Sequence, residues 1–157
     1  MNAERILRRH LTDLLTGENA HVNFDAATRE IPFEQLGVRP AGLPSSIWQQ
    51  VEHLRIAQWD IVRFSIDSQH VSPDFPDGYW PSAAGPPDET AWRHSRHAFL
   101  SDLQIMVDLV NDSSNDLYSP IPHGQGQTIL REALLIADHN AYHLGQILTL
   151  RRLLGIW

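Results

Sequence analysis

The sequence predicts an all-α protein, a four-helix bundle, and three observations carry that prediction. Apolar residues recur at helical spacing over four separate long stretches. No stretch alternates apolar and polar residues for more than a few positions, so no strand is expected. Proline, glycine and small polar residues concentrate between the four stretches, where connections belong. Four amphipathic helices of this kind bury their stripes most simply against one another.

The first helix is predicted over 3–16, where Ile6, Leu7, His10, Leu11, Leu14 and Leu15 share a stripe that ends at Gly17. Residues 18–45 read as a long connection: "FDAATREI" has room for one or two helical turns, and "GVRPAGLP" is full of breakers. Ser46 and Gln49 have the spacing of a capping box, so the second helix starts there and runs to about Asp67. Its face carries Ile47, Val51, Leu54, Ile61, Val62 and Ser65. The proline-rich stretch 68–88 cannot be regular, and its length permits a crossover connection. Its aromatics Phe75, Tyr79 and Trp80 suggest that it packs down and partly covers a site. The third helix is expected from Pro86 or Pro87, with Asp88 and Glu89 in its first turn and a seam of Trp92, Phe99, Leu103, Met106 and Val110. "NDSSND" stops it, and the fourth helix runs from about Thr128 to Leu154.

At 157 residues, with 42% hydrophobic and 20% charged residues, the chain suits one globular domain over 1–157. There is no run of ~18 apolar residues and no signal-peptide core, so no membrane association and a cytoplasmic location are expected. The formal net charge is −7, and all 12 basic residues are arginine. That balance argues against nucleic acid as a partner. With no cysteine, thiolate metal sites and a cysteine nucleophile are excluded, and any thiol chemistry needs a thiol from outside. The nine histidines must supply the nitrogen ligation.

Two histidines stand four apart in "DHNAYHLGQI", on the stripe that also carries Ile136, Ile147, Leu150 and Leu154. Side chains at that spacing have Cβ atoms ~5–6 Å apart, close enough for both imidazoles to converge on one ion. A third ligand is expected from a facing helix, and His53, at the edge of the second helix's apolar face, is the best placed. His53, His139 and His143 are thus the candidate metal ligands. The competing reading is three buried, hydrogen-bonded histidines and no ion. His94 and His97 point away from their helix's seam and read as solvated. His10 falls on the first helix's stripe and reads as buried, whereas His21, His70 and His123 lie in loops and read as exposed. Glu132 and Asp60 lie near enough to orient a histidine or to pair with arginine, and Gln146, on the same side, is placed to bind a ligand or cap a cavity. "HNAYH" has the zinc-protease spacing, but Asn140 stands where the glutamate base would be, which removes the protease reading.

"WQQVEHLRIAQWDI" and "DHNAYHLGQILTLRRLLG" together resemble the DinB-like (YfiT-like) family, and the H-x3-H-x-G-Q-I element is the most specific part of the likeness. The resemblance implies a four-helix bundle, often a homodimer, with a divalent metal held by three histidines. Carried over by position, those are His53, His139 and His143. Nickel, zinc and iron all fit such sites. Some members of the family are transferases or isomerases that use an external low-molecular-weight thiol, and the expectation for this chain is such a transferase acting on small electrophilic substrates. A metal-dependent hydrolase and a non-catalytic metal-binding or interaction bundle stay open as alternatives. Trp48, Trp59 and Ile66, on a second face of the second helix, suggest either packing under the loops or a dimer interface.

Overall fold

The computed structural model describes residues 3–17 and 20–157, and among them only helices form, with no strand. Helix α1 spans Ala3–Thr16, the single turn α2 spans Phe24–Thr28, and α3 spans Ile47–Ile66. Helices α4 and α5 span Glu89–Asn111 and Ile129–Leu153. The starts follow the chemistry of their caps. Ser46 accepts from Gln49 N while the Gln49 side chain accepts from Ser46 N, a complete capping box. Asp88 lies one residue outside α4 and accepts from Ala91 N, so α4 starts at Glu89, later than the prolines suggested. Thr128 caps α5 in the same way through Arg131 N.

Helix α3 packs on both α4 and α5, and α1 packs on the same two helices from the other side. Two apolar clusters result. Ile47, Val51, Leu54, Phe99, Ile147 and Leu150 anchor one, in which Phe24 stacks on Phe99 with ring centroids 3.8 Å apart. Leu11, Leu15, Val62, Met106, Val110 and Ile136 anchor the other.

The stripe of α1 buries Arg8 and leaves His10 exposed, against the expectation for His10. Arg8 donates to Val110 O, Asp112 O and Asn115 O at the end of α4, where the last carbonyls of a helix lack partners. His70 also departs from expectation: its side chain is only 7% exposed and its Nε2 lies 2.7 Å from Asp60 Oδ1. The second face of α3 does not form one patch. Trp48 is buried beside Trp92, Trp59 packs edge-on against His70, and only Ile66 of the three is exposed.

The connection 67–88 is laid along α3 by a row of bonds. Ser46 Oγ donates to Ala84 O, Gln49 Nε2 to Pro81 O, and Tyr79 OH to Asp60 Oδ2. Residues 46, 49, 53 and 60 share one side of a helix, which makes α3 a rail for this strap. The strap also runs close to the 37 region: a Cβ on Gly37 would stand 3.0 Å from Gly85 Cα, so a larger residue there would push the two backbones apart by a few tenths of an ångström. Phe75 is 88% exposed with its ring edge-on to Tyr79, Tyr79 is half-buried, and Trp80 keeps one face exposed while the other lies on His53.

Candidate metal centre

Helix α3 brings His53 to the place where α5 presents His139 and His143. The capping box fixes the start of α3, and Val51 and Leu54, both fully buried, fix its rotation. On α5, Ile136 and Ile147 do the same for the two histidines. The outcome is that one nitrogen from each of His53, His139 and His143 lies within 4.8 Å of the others. This is the one such cluster of histidine, aspartate and glutamate among the described residues.

The outer partners of the rings settle which nitrogens face inward. His53 Nδ1 lies 2.9 Å from Tyr79 O, and a carbonyl only accepts, so Nδ1 carries the proton and Nε2 is left bare. His53 Nε2 lies 3.1 Å from His139 Nε2, so His139 donates to it from Nε2. His143 Nδ1 lies 2.7 Å from Gln50 Oε1, which leaves Nε2 as its free nitrogen. Two nitrogens held at about 2.0–2.1 Å from one ion, at tetrahedral or octahedral angles, would be about 2.8–3.4 Å apart. The His53–His139 separation falls inside that range. The donor set therefore fits a divalent ion, provided His139 moves its proton to Nδ1.

All three imidazoles are held neutral. Burial pushes the pKa of His143 down to about 3 and that of His139 to about 4, with neighbouring histidines adding to the effect. Burial also lowers His53, and the bond to Tyr79 partly opposes it. Neutral rings are the form that binds metal, so proton competition near pH 7 is small.

These shifts have a consequence for the metal-free protein. The unfolded chain takes up protons on histidine near 6.5, before the folded site does. Stability is thus unaffected by these groups above that pH and falls as pH drops from there to about 4 for His139 and about 3 for His143. The slope within the window is about 1.4 kcal/mol per pH unit for each fully shifted group. Denaturant titrations of metal-free protein between pH 7.5 and 5 should show this loss. A His139→Ala, His143→Ala variant should show a shallower one.

The site opens on one side into a cleft of about 480 Å³ lined by Ser45, Gln50, Trp80, Tyr142, His143 and Gln146, among others. Trp80 lies flat on His53, with ring centroids 3.9 Å apart and planes 3° from parallel. It closes one face of the cluster. Tyr142 meets His143 edge-on at 4.9 Å.

A family model described as the DinB superfamily matches residues 17–147, which takes in α3, α4, the strap and all three histidines. The chain belongs to the DinB superfamily. No curated protein and no solved structure matches the chain significantly.

Around this DinB-superfamily cluster, the other residues singled out by sequence divide. Gln146 is next to the site, accepting from Gln50 Nε2 at 3.0 Å. Asp60 acts at one remove, by holding the Tyr79 hydroxyl while the Tyr79 carbonyl holds His53. Glu132 pairs with Arg131 instead. Asn140 donates to Gln58 Oε1 on α3 and lines a separate cavity with His21. His123 lies with Nε2 2.6 Å from Phe64 O, and the 117–127 loop does not line the cleft. Pro44, Ser45, Gln49 and Gln50 line it instead. Sequence reasoning missed Gln50, the Tyr79 carbonyl and the stacking of Trp80. For Gln50 a signal existed: it lies three residues before His53, on the neighbouring part of the same helix face.

Proposed function

We propose that this chain is a metal-dependent enzyme in which His53, His139 and His143 bind a divalent ion through Nε2, and that it transfers an external low-molecular-weight thiol onto a small electrophile. The observation that carries the reading is the convergence of three neutral imidazole nitrogens at the wall of an open cleft. Three protein ligands leave coordination positions free, the pattern of a catalytic rather than a structural site. A bound divalent ion supplies Lewis acidity, which lowers the pKa of a thiol or water beside it. With no cysteine in the chain, the thiol comes from solution.

The protein's own residues then do three things. Tyr79 O and Gln50 Oε1 hold the Nδ1 protons of His53 and His143, so both rings keep one tautomer and one orientation. Trp80 excludes water from the outer face of His53. The cleft between Trp80 and Tyr142 receives the electrophile. In the transfer, a C–S bond forms as the bond to the leaving group breaks, and the thiol proton passes to solvent.

The test is an assay of metal-loaded protein with 1-chloro-2,4-dinitrobenzene and a panel of small thiols. Turnover that needs both metal and thiol is expected. Metal-independent turnover would contradict the mechanism, and metal-dependent turnover of ester substrates without thiol would make the protein a hydrolase.

A further inference from the structure

We propose that a second cavity, bounded by α1, α4, α5 and the start of α2, binds a small uncharged molecule of one or two rings with a single hydrogen-bond donor, and that Asn140 Oδ1 accepts from that donor. The site shares no lining residue with the His143 cleft and does not depend on the metal reading. Its origin is visible in the sequence of α5, which lines the cavity with Ala137 and Ala141, one turn apart, where larger side chains would fill the space. What remains is a volume of about 280 Å³. An apolar cavity of about 150 Å³ takes up benzene, so this one has room for a bicyclic ring.

The buried wall is apolar with one exception. Leu15, Phe24, Phe99, Val107 and Leu144 belong to it, and Asn140, 6% exposed, is the only polar residue among the described residues of the lining that are buried. No charged side chain belongs to that wall, so the part of a ligand held there is uncharged. Asn140 donates through Nδ2 to Gln58 Oε1 at 2.9 Å, and Gln58 donates in turn through Nε2 to Phe99 O. Those two bonds fix the orientation of the Asn140 carboxamide and leave Oδ1 over. Among the described residues, Oδ1 is one of two buried side-chain oxygens without a partner, and the other, Ser95 Oγ, is outside this lining. A carbonyl oxygen withdrawn from water and given no donor is costly, and an N–H or O–H entering the cavity is what it lacks. The oxygen lies just beneath the surface, and a small turn about the last torsion of asparagine, which is soft, brings it to a ligand. The mouth fits the same occupant. Leu14 and Leu100 line it at 46% and 39% exposure, apolar surface that a bound ring would cover. The polar side chains beside them have partners already: Asn23 Oδ1 accepts from Ala26 N, Asp25 pairs with Arg96, and Gln104 Nε2 donates to Asp108.

The probe is indole, an uncharged bicyclic molecule with one N–H, set against benzofuran, its isostere with an oxygen in place of that N–H. Both are titrated into isotope-labelled protein treated with a chelator and followed by amide chemical shifts. Indole is expected to bind saturably and to shift the amides of Leu103, Ala137 and Ala141, which line the cavity. Benzofuran should bind about five-fold more weakly, the loss of one hydrogen bond. Ala141→Leu, a half-buried position given a residue that suits a helix, should fill the cavity and weaken indole at least about ten-fold, with an unchanged circular dichroism spectrum. Indole that does not bind, that shifts only amides around His143, or that binds no more tightly than benzofuran would overturn the proposal. So would a folded Ala141→Leu protein that binds indole as the unaltered protein does.

Discussion

Replacing His139 and His143 together by alanine is expected to abolish divalent-metal uptake while leaving a helical, folded protein. Four-ligand structural zinc sites bind with about 10–16 kcal/mol, roughly 3 kcal/mol for each ligand. Losing two ligands of three should then weaken binding on the order of 10⁴-fold. The fold should survive, because neither histidine belongs to the two apolar clusters that hold α5 in place. Equilibrium dialysis followed by elemental analysis measures the effect, with circular dichroism as the check on folding. His94→Ala with His97→Ala is the matched control: both are exposed on α4, away from the cluster, and uptake should be unchanged.

Gln50→Leu is expected to have the next largest effect, on metal and stability together. Leucine nearly matches the volume of glutamine but ends three hydrogen bonds: to His143, Ser45 and Gln146. His143 Nδ1–H is left buried without an acceptor, a cost of about 1–3 kcal/mol. With nothing to fix the ring, metal affinity should fall about 10–100-fold, the usual effect of removing a ligand's outer partner. Denaturant unfolding of the metal-free protein reads the first effect and metal titration the second. An unchanged affinity would mean that the histidine is held in place by packing alone.

Much of this arrangement can be read from the chain, because the readable parts are local. The helical period of α3, α4 and α5, the Ser46–Gln49 capping box and the four-residue spacing of His139 and His143 all operate within a turn or two. His53 is legible for a related reason: its angle from Val51 and Leu54 on one helix fixes its depth. What escapes the sequence is held by contacts between distant segments. Nothing in "GYWPSAAG" announces that the Tyr79 carbonyl accepts from His53, or that Trp80 lies on the same ring. The burial of His70 depends on Asp60, ten residues back, and that bond exists only because the strap doubles along α3. His10 and Arg8 show the opposite failure. Hydropathy favoured histidine over arginine for the buried position, but the carbonyls at the end of α4 needed several donors on a long arm, and Arg8 supplies them.

The most direct test of the central claim is X-ray absorption at the metal edge of protein loaded with one equivalent of zinc. Three imidazole nitrogens at about 2.0–2.1 Å, recognised by the scattering of their rings, with oxygen ligands completing the shell, are expected. The imidazole signal should fall to one ring in the His139→Ala, His143→Ala variant if any metal binds there at all. A shell with fewer than two imidazoles in the unaltered protein, or one that the double substitution leaves unchanged, would contradict the account and return His53, His139 and His143 to the role of buried, hydrogen-bonded side chains.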